Sequence, residues 1–440
     1  MPAGRNWRPR RTDVPELWSP HHARAPTRHV RLFPSFVSKT VTRFDILDSP
    51  FYIVGAMRSH DLNSALSLLR DLPIRIVFGP DCLSQIGSAA KEIGARRALL
   101  VTDPGIVAAG HVERALSSLR VAGAQTVVFD GAAENPTTQH VDAGLEIARS
   151  AEPDALIGLG GGSAMDCAKG INLLLTNGGR IADYWGINKA VKPLLPLIAV
   201  PTTAGTGSEA QSFALISDEI THRKMACGDR RLPMGGGLRP RAAILDPDLI
   251  QSAPHTVAAA AGMDALAHAV ETSATNVRNP LSRKLSKFAW DLLISSFGDY
   301  LSGPGDSDAR AGMLLGAHLA GAAIEQSMLG AAHAAANPLT ARFGIRHGQA
   351  VGLMLPHVVR FNCAGRDNPY SDLESDLEKL VSLVAGLLDA VGFPSRLSQC
   401  DVPRTALPEL AELAALEWTA QFNPVPVTAT EFLRMYEAAC

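Results

Sequence analysis

The stretch ALIGLGGGSAMDCAKGINLLL, residues 155–175, decides the fold of this chain. Its apolar start, ALIGL, is typical of a buried strand, and the part from Ser163 onward has the composition of a helix. Gly160, Gly161 and Gly162 separate the two, and Ser163 is predicted to be the N-cap of the helix. Glycines allow close backbone approach and a helix N-terminus presents unpaired N–H groups, so this turn predicts a cradle for a pyrophosphate. A tight connection without any ligand would use the same glycines.

Outward from this stretch, short strand-like runs alternate with helical segments between residue 74 and about residue 250. The runs are RIVFG, RALLVTD, TVVFD, ALIGLGGG, PLIAVPTT and AAILDP. This alternation predicts parallel β-α-β units in an α/β domain that binds a nucleotide. From Pro254 onward the strand-like runs end, and Ala/Leu-rich amphipathic segments predict an all-α domain. We therefore predict a nucleotide-binding α/β domain over 57–250 and a helical, metal-binding domain over 251–440.

The composition is that of a globular protein with enough apolar residues for two cores. The 440 residues are 46% hydrophobic and 19% charged, with a formal net charge of −2. A charge balance near zero gives no general attraction for nucleic acid or for anionic membranes, so neither partner is expected. The six cysteines are scattered without a CxxC spacing, which predicts no disulfide framework and fits a reducing cytoplasm.

Residues 1–56 differ in character from the rest of the chain. They are rich in arginine, proline and histidine and contain no apolar core followed by a small-residue cleavage site. We predict a disordered extension or a stretch added by a misassigned start codon, with an organellar presequence as the alternative.

Four residues of the second half predict a metal site. Asp264 and His268 lie four apart in a helical stretch, so their side chains project from one helix face. His333 and His347 lie 14 positions apart, and the stretch between them includes Pro338 and Gly344, which allows a helix end and a turn to bring them back toward the first pair. Three imidazole nitrogens and one carboxylate oxygen suit a divalent ion such as Fe²⁺ or Zn²⁺. For Asp264 and His268 alone, a surface pair on a helix is the alternative.

Five motifs in order resemble the iron-containing (group III) alcohol dehydrogenases over about residues 70–440. They are GLGGGSAMDCAK (158–169), PTTAGTGSE (201–209), LDPDL (245–249), GMDALAHAVE (262–271) and HGQAVGLMLPHVVRFN (347–362). The resemblance implies the two-domain architecture shared with dehydroquinate synthase, an NAD cofactor and one divalent metal per subunit, with Fe²⁺ expected and Zn²⁺ as the alternative. It also implies a homodimer or a higher homo-oligomer.

Polar residues at the ends of the predicted strands are the candidates for binding the cofactor. Asp103 ends the strand ALLVTD, where a carboxylate can accept hydrogen bonds from a ribose hydroxyl, although a helix N-cap would need the same residue. In the resembling family an Asp here favours NAD over NADP, because it would repel a 2′-phosphate. Besides Asp103, the predicted cofactor-binding residues are Gly161, Gly162, Ser163, Thr202, Thr203 and Thr206, together with Asn135, Asp166 and Lys224, which the resemblance alone implies.

A metal beside a nicotinamide predicts hydride transfer between an alcohol and its aldehyde or ketone. One position departs from the family pattern, in which many members read HxxxH at the third ligand. Here the second histidine is replaced by Asn337, whose amide cannot act as an acid or base and which we predict to contact the substrate. The alternatives are a reductase of keto acids resembling maleylacetate reductase, a lyase resembling dehydroquinate synthase and a non-catalytic NAD-binding protein.

Overall fold

The computed structural model describes residues 42–46, 49–53, 68–69, 72–219, 223–231, 236–303 and 306–440. The strands are β1 (Thr42–Ile46), β2 (Ser49–Ile53), β3 (Arg75–Phe78), β4 (Arg97–Val101), β5 (Gln125–Phe129), β6 (Ala155–Gly160), β7 (Gly186–Ile187), β8 (Leu197–Pro201), β9 (Phe213–Ser217), β10 (Lys224–Gly228) and β11 (Ala242–Leu245). Six of them form one sheet in the order β3-β11-β8-β6-β4-β5, and every pair in it is parallel. These are the six predicted strands, and the predicted fold class is confirmed.

Helices connect the strands of this sheet and cover its two faces. They are α1 (Ile86–Glu92), α2 (Pro104–Ala108), α3 (His111–Val121), α4 (Thr138–Ala151) and α5 (Gly162–Asn177). The central strand β6 is buried along its whole length, as expected for a parallel strand covered by helices on both sides. Its carboxyl end leads directly into α5, so the glycine turn opens at the edge of the sheet where parallel sheets bind their ligands.

A second, smaller sheet lies beside the first and was not expected from the sequence. Its order is β7-β10-β9, with β10 antiparallel to β9 and parallel to β7. The runs FALIS and KMACG have no helix between them, so the alternation that reveals β-α-β units does not detect them. This sheet places Lys224 at the start of β10.

The second half of the described chain is helical. The helices are α6 (His255–Ala274), α7 (Pro280–Ser302), α8 (Ser307–Ser327), α9 (Ala331–Phe343), α10 (His347–Cys363), α11 (Leu377–Ala390), α12 (Leu407–Leu416) and α13 (Ala429–Ala438). Short 3-10 segments occur at Cys82–Gln85, Ile181–Tyr184, Ser208–Ala210, Leu249–Ser252, Leu397–Cys400, Arg404–Ala406 and Trp418–Phe422. None of the described helices is both long enough and apolar enough to cross a membrane.

Helix α6 is the central helix of this domain, and small residues let its neighbours approach closely. Every residue from Ala258 to Ala274 except Ala261 is buried. A Cβ atom added at Gly348, on α10, would lie only 1.9 Å from the carbonyl oxygen of Ala260. A Cβ at Gly205 would lie 2.8 Å from Cα of Ala261. Glycine at these two positions therefore brings α10 and the loop after β8 into backbone contact with α6.

The N-terminal extension is only partly described. Its backbone forms an antiparallel pair, β1 with β2, in which Thr42 pairs with Ile53 and Ile46 with Ser49. The prediction of a disordered or misassigned extension over residues 1–56 stays a prediction. The run TRFDI ends in an alternation of apolar and polar residues, and SPFYI contains aromatic and β-branched residues that favour strands. The rest of the extension lies outside the described residues.

Candidate metal centre and cofactor cleft

A cleft of about 820 Å³ contains both predicted sites. The sheet domain contributes the glycine turn and the residues at its strand ends, and the helical domain contributes α6 and the start of α10. All four predicted metal ligands and all ten predicted cofactor residues line it: Asp264, His268, His333 and His347, then Asp103, Asn135, Gly161, Gly162, Ser163, Asp166, Thr202, Thr203, Thr206 and Lys224. Asn337 is not among the lining residues.

The metal ligands converge on one oxygen atom. Nε2 of His333 lies 3.3 Å from Oδ1 of Asp264, and Nε2 of His268 lies 3.4 Å from it. Nε2 of His347 lies 3.7 Å from the same oxygen. Four ligand atoms at about 2.1 Å from an ion in a tetrahedron are about 3.4 Å apart, so these separations fit the donor set of one divalent ion.

The four ligands are not equally close. The ligand atoms of Asp264, His268 and His333 all lie within 4.8 Å of one another, and these three residues are buried. The side chain of His347 is 27% exposed and stands on the open side of the group. The stacked rings of His268 and His333, with centroids 4.8 Å apart, form the closed side. An ion bound here would therefore face the cleft on the side of His347.

Burial favours the neutral form of two of the three imidazoles, whereas Glu271 and Asp264 outweigh burial at the third and raise the pKa of His333 to about 9. Burial alone raises the pKa of the Asp264 carboxyl, but the three histidines outweigh it and hold that pKa well below its usual range. Burial lowers the pKa of His268 to about 4, and it lowers that of His347 as well. Both rings are therefore neutral near pH 7, as a metal ligand must be.

His333 is oriented by a carboxylate that the sequence analysis did not single out. Oε2 of Glu271 accepts a hydrogen bond from Nδ1 of His333 at 2.5 Å, and Oε1 accepts one from the backbone N–H of Ala332 at 2.7 Å. With its proton fixed on Nδ1, the His333 ring presents Nε2 toward Asp264. Glu271 lies three residues after His268 on α6, and this helical spacing is the signal that could have found it.

Glu271→Gln is expected to lower metal affinity by about 10- to 100-fold, because carboxylates that orient a ligating histidine typically contribute that much. The amide oxygen can still accept a hydrogen bond from Nδ1 of His333. It lacks the negative charge that makes the imidazole a stronger metal ligand. Dissociation constants from competition with a chelator measure the effect. Glu412→Gln, at an exposed position of α12, is the control, and equal affinities in the two variants would contradict this role for Glu271.

At the other end of the cleft, the glycine turn is shaped as a backbone cradle. Gly160 has φ of +154°, a conformation that side chains disfavour. A Cβ atom at Gly162 would lie 2.6 Å from Oγ1 of Thr206, so only glycine fits there. The helix begins at Gly162 with Gly161 as its N-cap. The prediction of Ser163 as N-cap is therefore wrong, because the extended conformation of Gly161 already ends the strand and starts the first turn.

Asp103 combines its two possible roles. One carboxylate oxygen, Oδ1, accepts from the N–H groups of Gly105 and Ile106 and caps α2. The other, Oδ2, points toward Gly160, since a Cβ atom there would lie 3.3 Å from it. The cap fixes the side chain at the strand end and leaves one oxygen on the cleft side, where a ribose hydroxyl could donate to it.

Asp166 is held by a buried network beneath the cofactor cleft. Its Oδ1 accepts from Oγ of Ser208 at 2.7 Å, and its Oδ2 accepts from the N–H of Leu215 at 3.2 Å. Lys169, fully buried, donates to the carbonyl oxygens of Ser208 and Phe213. This network ties α5 to the loop after β8, and Lys169 is a second residue that the sequence analysis did not single out.

Lys224 lines the cleft, whereas Asn337, on α9, is not among the lining residues. The carboxylates that interact with Lys224 are those of Asp166, Asp264, Glu417 and Glu134. Nδ2 of Asn337 donates to Oε2 of Glu417 at 2.8 Å. The amide of Asn337 thus bonds a glutamate 80 residues further along the chain, and its contact with substrate stays a prediction.

Comparison with known proteins agrees with this geometry. Residues 73–247 match the family described as iron-containing alcohol dehydrogenase, and residues 258–440 match its C-terminal domain. The chain is 33% identical to 1,3-propanediol dehydrogenase of Citrobacter freundii over 377 residues, covering 82% of this chain and 96% of that protein. It is 39% identical to alcohol dehydrogenase 4 of Schizosaccharomyces pombe over 291 residues, covering 66% of this chain and 68% of that protein.

A solved relative carries the expected cofactor. The structure of sulfoacetaldehyde reductase from Bifidobacterium kashiwanohense in complex with NAD⁺ superposes with a TM-score of 0.75 at 28% identity, covering 84% of this chain and 97% of that one. Fold and site thus define a metal-dependent dehydrogenase that uses a dinucleotide. The chain belongs to the iron-containing alcohol dehydrogenase family. It is an NAD-linked oxidoreductase of alcohols, and the predictions of family and enzyme class are confirmed.

Proposed function

We propose that this protein interconverts a small alcohol and its aldehyde or ketone with NAD and one Fe²⁺ per subunit. The observation that carries the proposal is that Asp264 and the three histidines open onto the same cleft as the glycine turn after β6. An ion in this site would act as a Lewis acid on the alcohol oxygen. Gly161 and Gly162, which line the same cleft, would bind the pyrophosphate of the cofactor through their backbone.

The four-ligand donor set distinguishes this proposal from its alternatives. A metal-free reductase of keto acids or a protein that only binds NAD would not need the convergence of three imidazoles on Asp264. The relatives named above act on a diol, an alcohol and an aldehyde, and this range supports small hydroxyl and carbonyl compounds as the substrate class. We further propose a cytoplasmic homo-oligomer without nucleic-acid or membrane partners.

A substrate screen tests the proposed function. Purified protein is loaded with Fe²⁺ or Zn²⁺ and assayed with NAD(H) against primary alcohols, diols, hydroxy acids and their carbonyl forms. Turnover that requires the metal, with Fe²⁺ more effective than Zn²⁺, is the expected result. If the protein reduced keto acids at full rate after chelation, the proposed function would be wrong and the metal-free keto-acid reductase would take its place.

Preference for NAD over NADP is expected from Asp103. Its Oδ2 would accept a hydrogen bond from the 2′-hydroxyl of NAD and repel the 2′-phosphate of NADP. Asp103→Gly should therefore lower the ratio of kcat/KM with NAD to kcat/KM with NADP by about tenfold, equivalent to roughly 1.4 kcal/mol. Asp130→Gly, after the next strand, is the matched control. Equal efficiency of the unmodified protein with both cofactors would refute the assignment.

A further inference from the structure

We propose that Asn423 is a positioning residue of the metal centre, because its amide holds the start of α9 and so fixes the imidazole of His333 against Glu271. The inference rests on the proposed function and deepens it, since it makes residues 418–425, near the end of the chain, a part of the metal site. Its basis is a buried set of hydrogen bonds that joins these residues to α9, α10 and the end of α6.

The first turn of α9 is capped by two side chains from other elements. A helix leaves its first N–H groups without intrahelical partners, and the N-cap of α9 is Gly330, which has no side chain to offer. The N–H of Ala332 donates to Oε1 of Glu271 at 2.7 Å, and the N–H of Ala331 donates to Oδ1 of Asn423 at 3.3 Å. The metal ligand of α9 is the next residue along the helix.

Glycine at position 330 lets both acceptor oxygens approach the helix start. A Cβ atom added there would lie 3.0 Å from Oε1 of Glu271 and 3.1 Å from Oδ1 of Asn423. Both residues are only 3% exposed, so bulk water cannot replace either acceptor. A buried N–H group without an acceptor is costly, and the start of α9 should therefore shift when Asn423 is removed.

The amide of Asn423 is itself held in one orientation by α10. Its Nδ2 donates to Oδ1 of Asn362 at 2.7 Å, and Nδ2 of Asn362 donates back to Oδ1 of Asn423 at 3.2 Å. The remaining bonds run from Asn423 to the carbonyl oxygen of Val425 at 2.7 Å and from Asn362 to the hydroxyl of Tyr370 at 2.6 Å. Every polar atom of the two amides is bonded. Because α10 begins at His347, the pair ties the start of α9 to the helix of another metal ligand.

The residues just before Asn423 are bonded to the end of α6. The N–H of Asn276, two positions after the end of that helix, donates to the carbonyl oxygen of Phe422 at 2.9 Å. Nδ2 of Asn276 donates to the carbonyl oxygen of Gln421 at 2.8 Å. Helix α6 carries the other two metal ligands and Glu271. Residues 418–425 therefore contact all three ligand-bearing helices where α6 ends and α9 begins.

The action of Asn423 on the metal is geometric, because an amide does not titrate. Nε2 of His333 lies 3.3 Å from Oδ1 of Asp264, and a shift of the first turn of α9 would change that separation. Groups that orient a metal ligand typically contribute 10- to 100-fold to metal affinity. Asn423 acts through the backbone of α9, whereas Glu271 bonds the imidazole directly, so the effect of Asn423 should lie at the low end of this range.

The test is metal binding by the full-length protein. Asn423→Ala should lower the affinity for Zn²⁺ by about tenfold, measured by competition with a chelator. It should also change the visible absorption of the Co²⁺-loaded protein, which depends on the geometry of the ligands. Asn362→Ala leaves Oδ1 of Asn423 on Ala331 but releases the amide pair, so it should change both quantities in the same direction by less. This milder variant supplies the comparison if Asn423→Ala does not fold.

Asn172→Ala is the matched control for the loss of a buried asparagine. Asn172, on α5, is 1% exposed, and its amide bonds both the N–H and the carbonyl oxygen of Leu195. Its loss should lower the free energy of unfolding but leave the Zn²⁺ affinity and the Co²⁺ absorption unchanged. The inference is overturned if folded Asn423→Ala keeps both quantities, or if Asn172→Ala changes them equally.

A double variant tests whether Asn423 and Glu271 act through the same helix start. Losses of Zn²⁺ affinity in Asn423→Ala and Glu271→Gln should be less than additive when combined, because both changes release His333. Full additivity would contradict the proposed route. An unmodified protein that binds Zn²⁺ and NADH but oxidises no alcohol would refute the proposed function, while the affinities of the variants would still decide the role of Asn423.

Discussion

His268→Ala is expected to lose the bound metal and to lower turnover by about 10³-fold or more, since metal polarisation of the substrate oxygen is worth several kcal/mol and each 1.4 kcal/mol is tenfold in rate. His268 stands on the closed side of the ligand group, with Nε2 3.4 Å from Oδ1 of Asp264. Asp264, His333 and His347 would remain as three ligands, and replacing an imidazole by water would weaken the binding of the ion. Elemental analysis and steady-state turnover measure the two effects.

The matched control is His255→Ala. His255 is an exposed histidine at the first position of α6, the same helix, and lies outside the ligand group. It should retain the metal content and turnover of the unmodified protein. A folded His268→Ala protein with full metal content and full turnover would show that the ion, if any, is bound elsewhere.

Glu325→Ala is expected to lower the free energy of unfolding by about 3–5 kcal/mol, the usual cost of removing one partner of a buried ion pair. Glu325 is on α8, and its Oε1 lies 2.5 Å from Nη2 of Arg239, which is itself only 9% exposed. Its Oε2 accepts from the N–H of Ser212 at 2.9 Å, and its carbonyl oxygen accepts from Arg230. Without the carboxylate, Arg239 would remain buried and uncompensated.

Denaturant unfolding compares this variant with Glu409→Ala. Glu409 pairs with Arg342, and both side chains are more than half exposed, so the loss there should be about 0–1 kcal/mol. Glu325→Gln should fall between the two, because the amide oxygen still accepts from Ser212. Similar losses for Glu325→Ala and Glu409→Ala would show that the buried pair contributes no more than a surface pair. Since Ser212 precedes Phe213 in the cleft wall, the buried pair also fixes the position of that wall.

Local sequence patterns were enough for the main sheet, the helical domain and the types of the metal ligands. Strands of a parallel sheet are nearly continuous apolar runs, and β6 followed by glycines and α5 shows this within 21 residues of sequence. Asp264 and His268 were predictable as a pair because a helix repeats every 3.6 residues and places positions four apart on one face. The small sheet was not predicted, because no helix separates β9 from β10.

Tertiary structure alone decided which distant side chains meet. Helix packing brings His333 and His347 to Asp264, from 69 and 83 positions further along the chain, and turns Nδ1 of His333 to Glu271. The same packing directs the amide of Asn337 to Glu417. Local patterns report periodicity and residue type, which depend on near neighbours. Distances across a cleft depend on how closely helices approach, and here glycines at 205 and 348, by removing a Cβ, set that approach around α6.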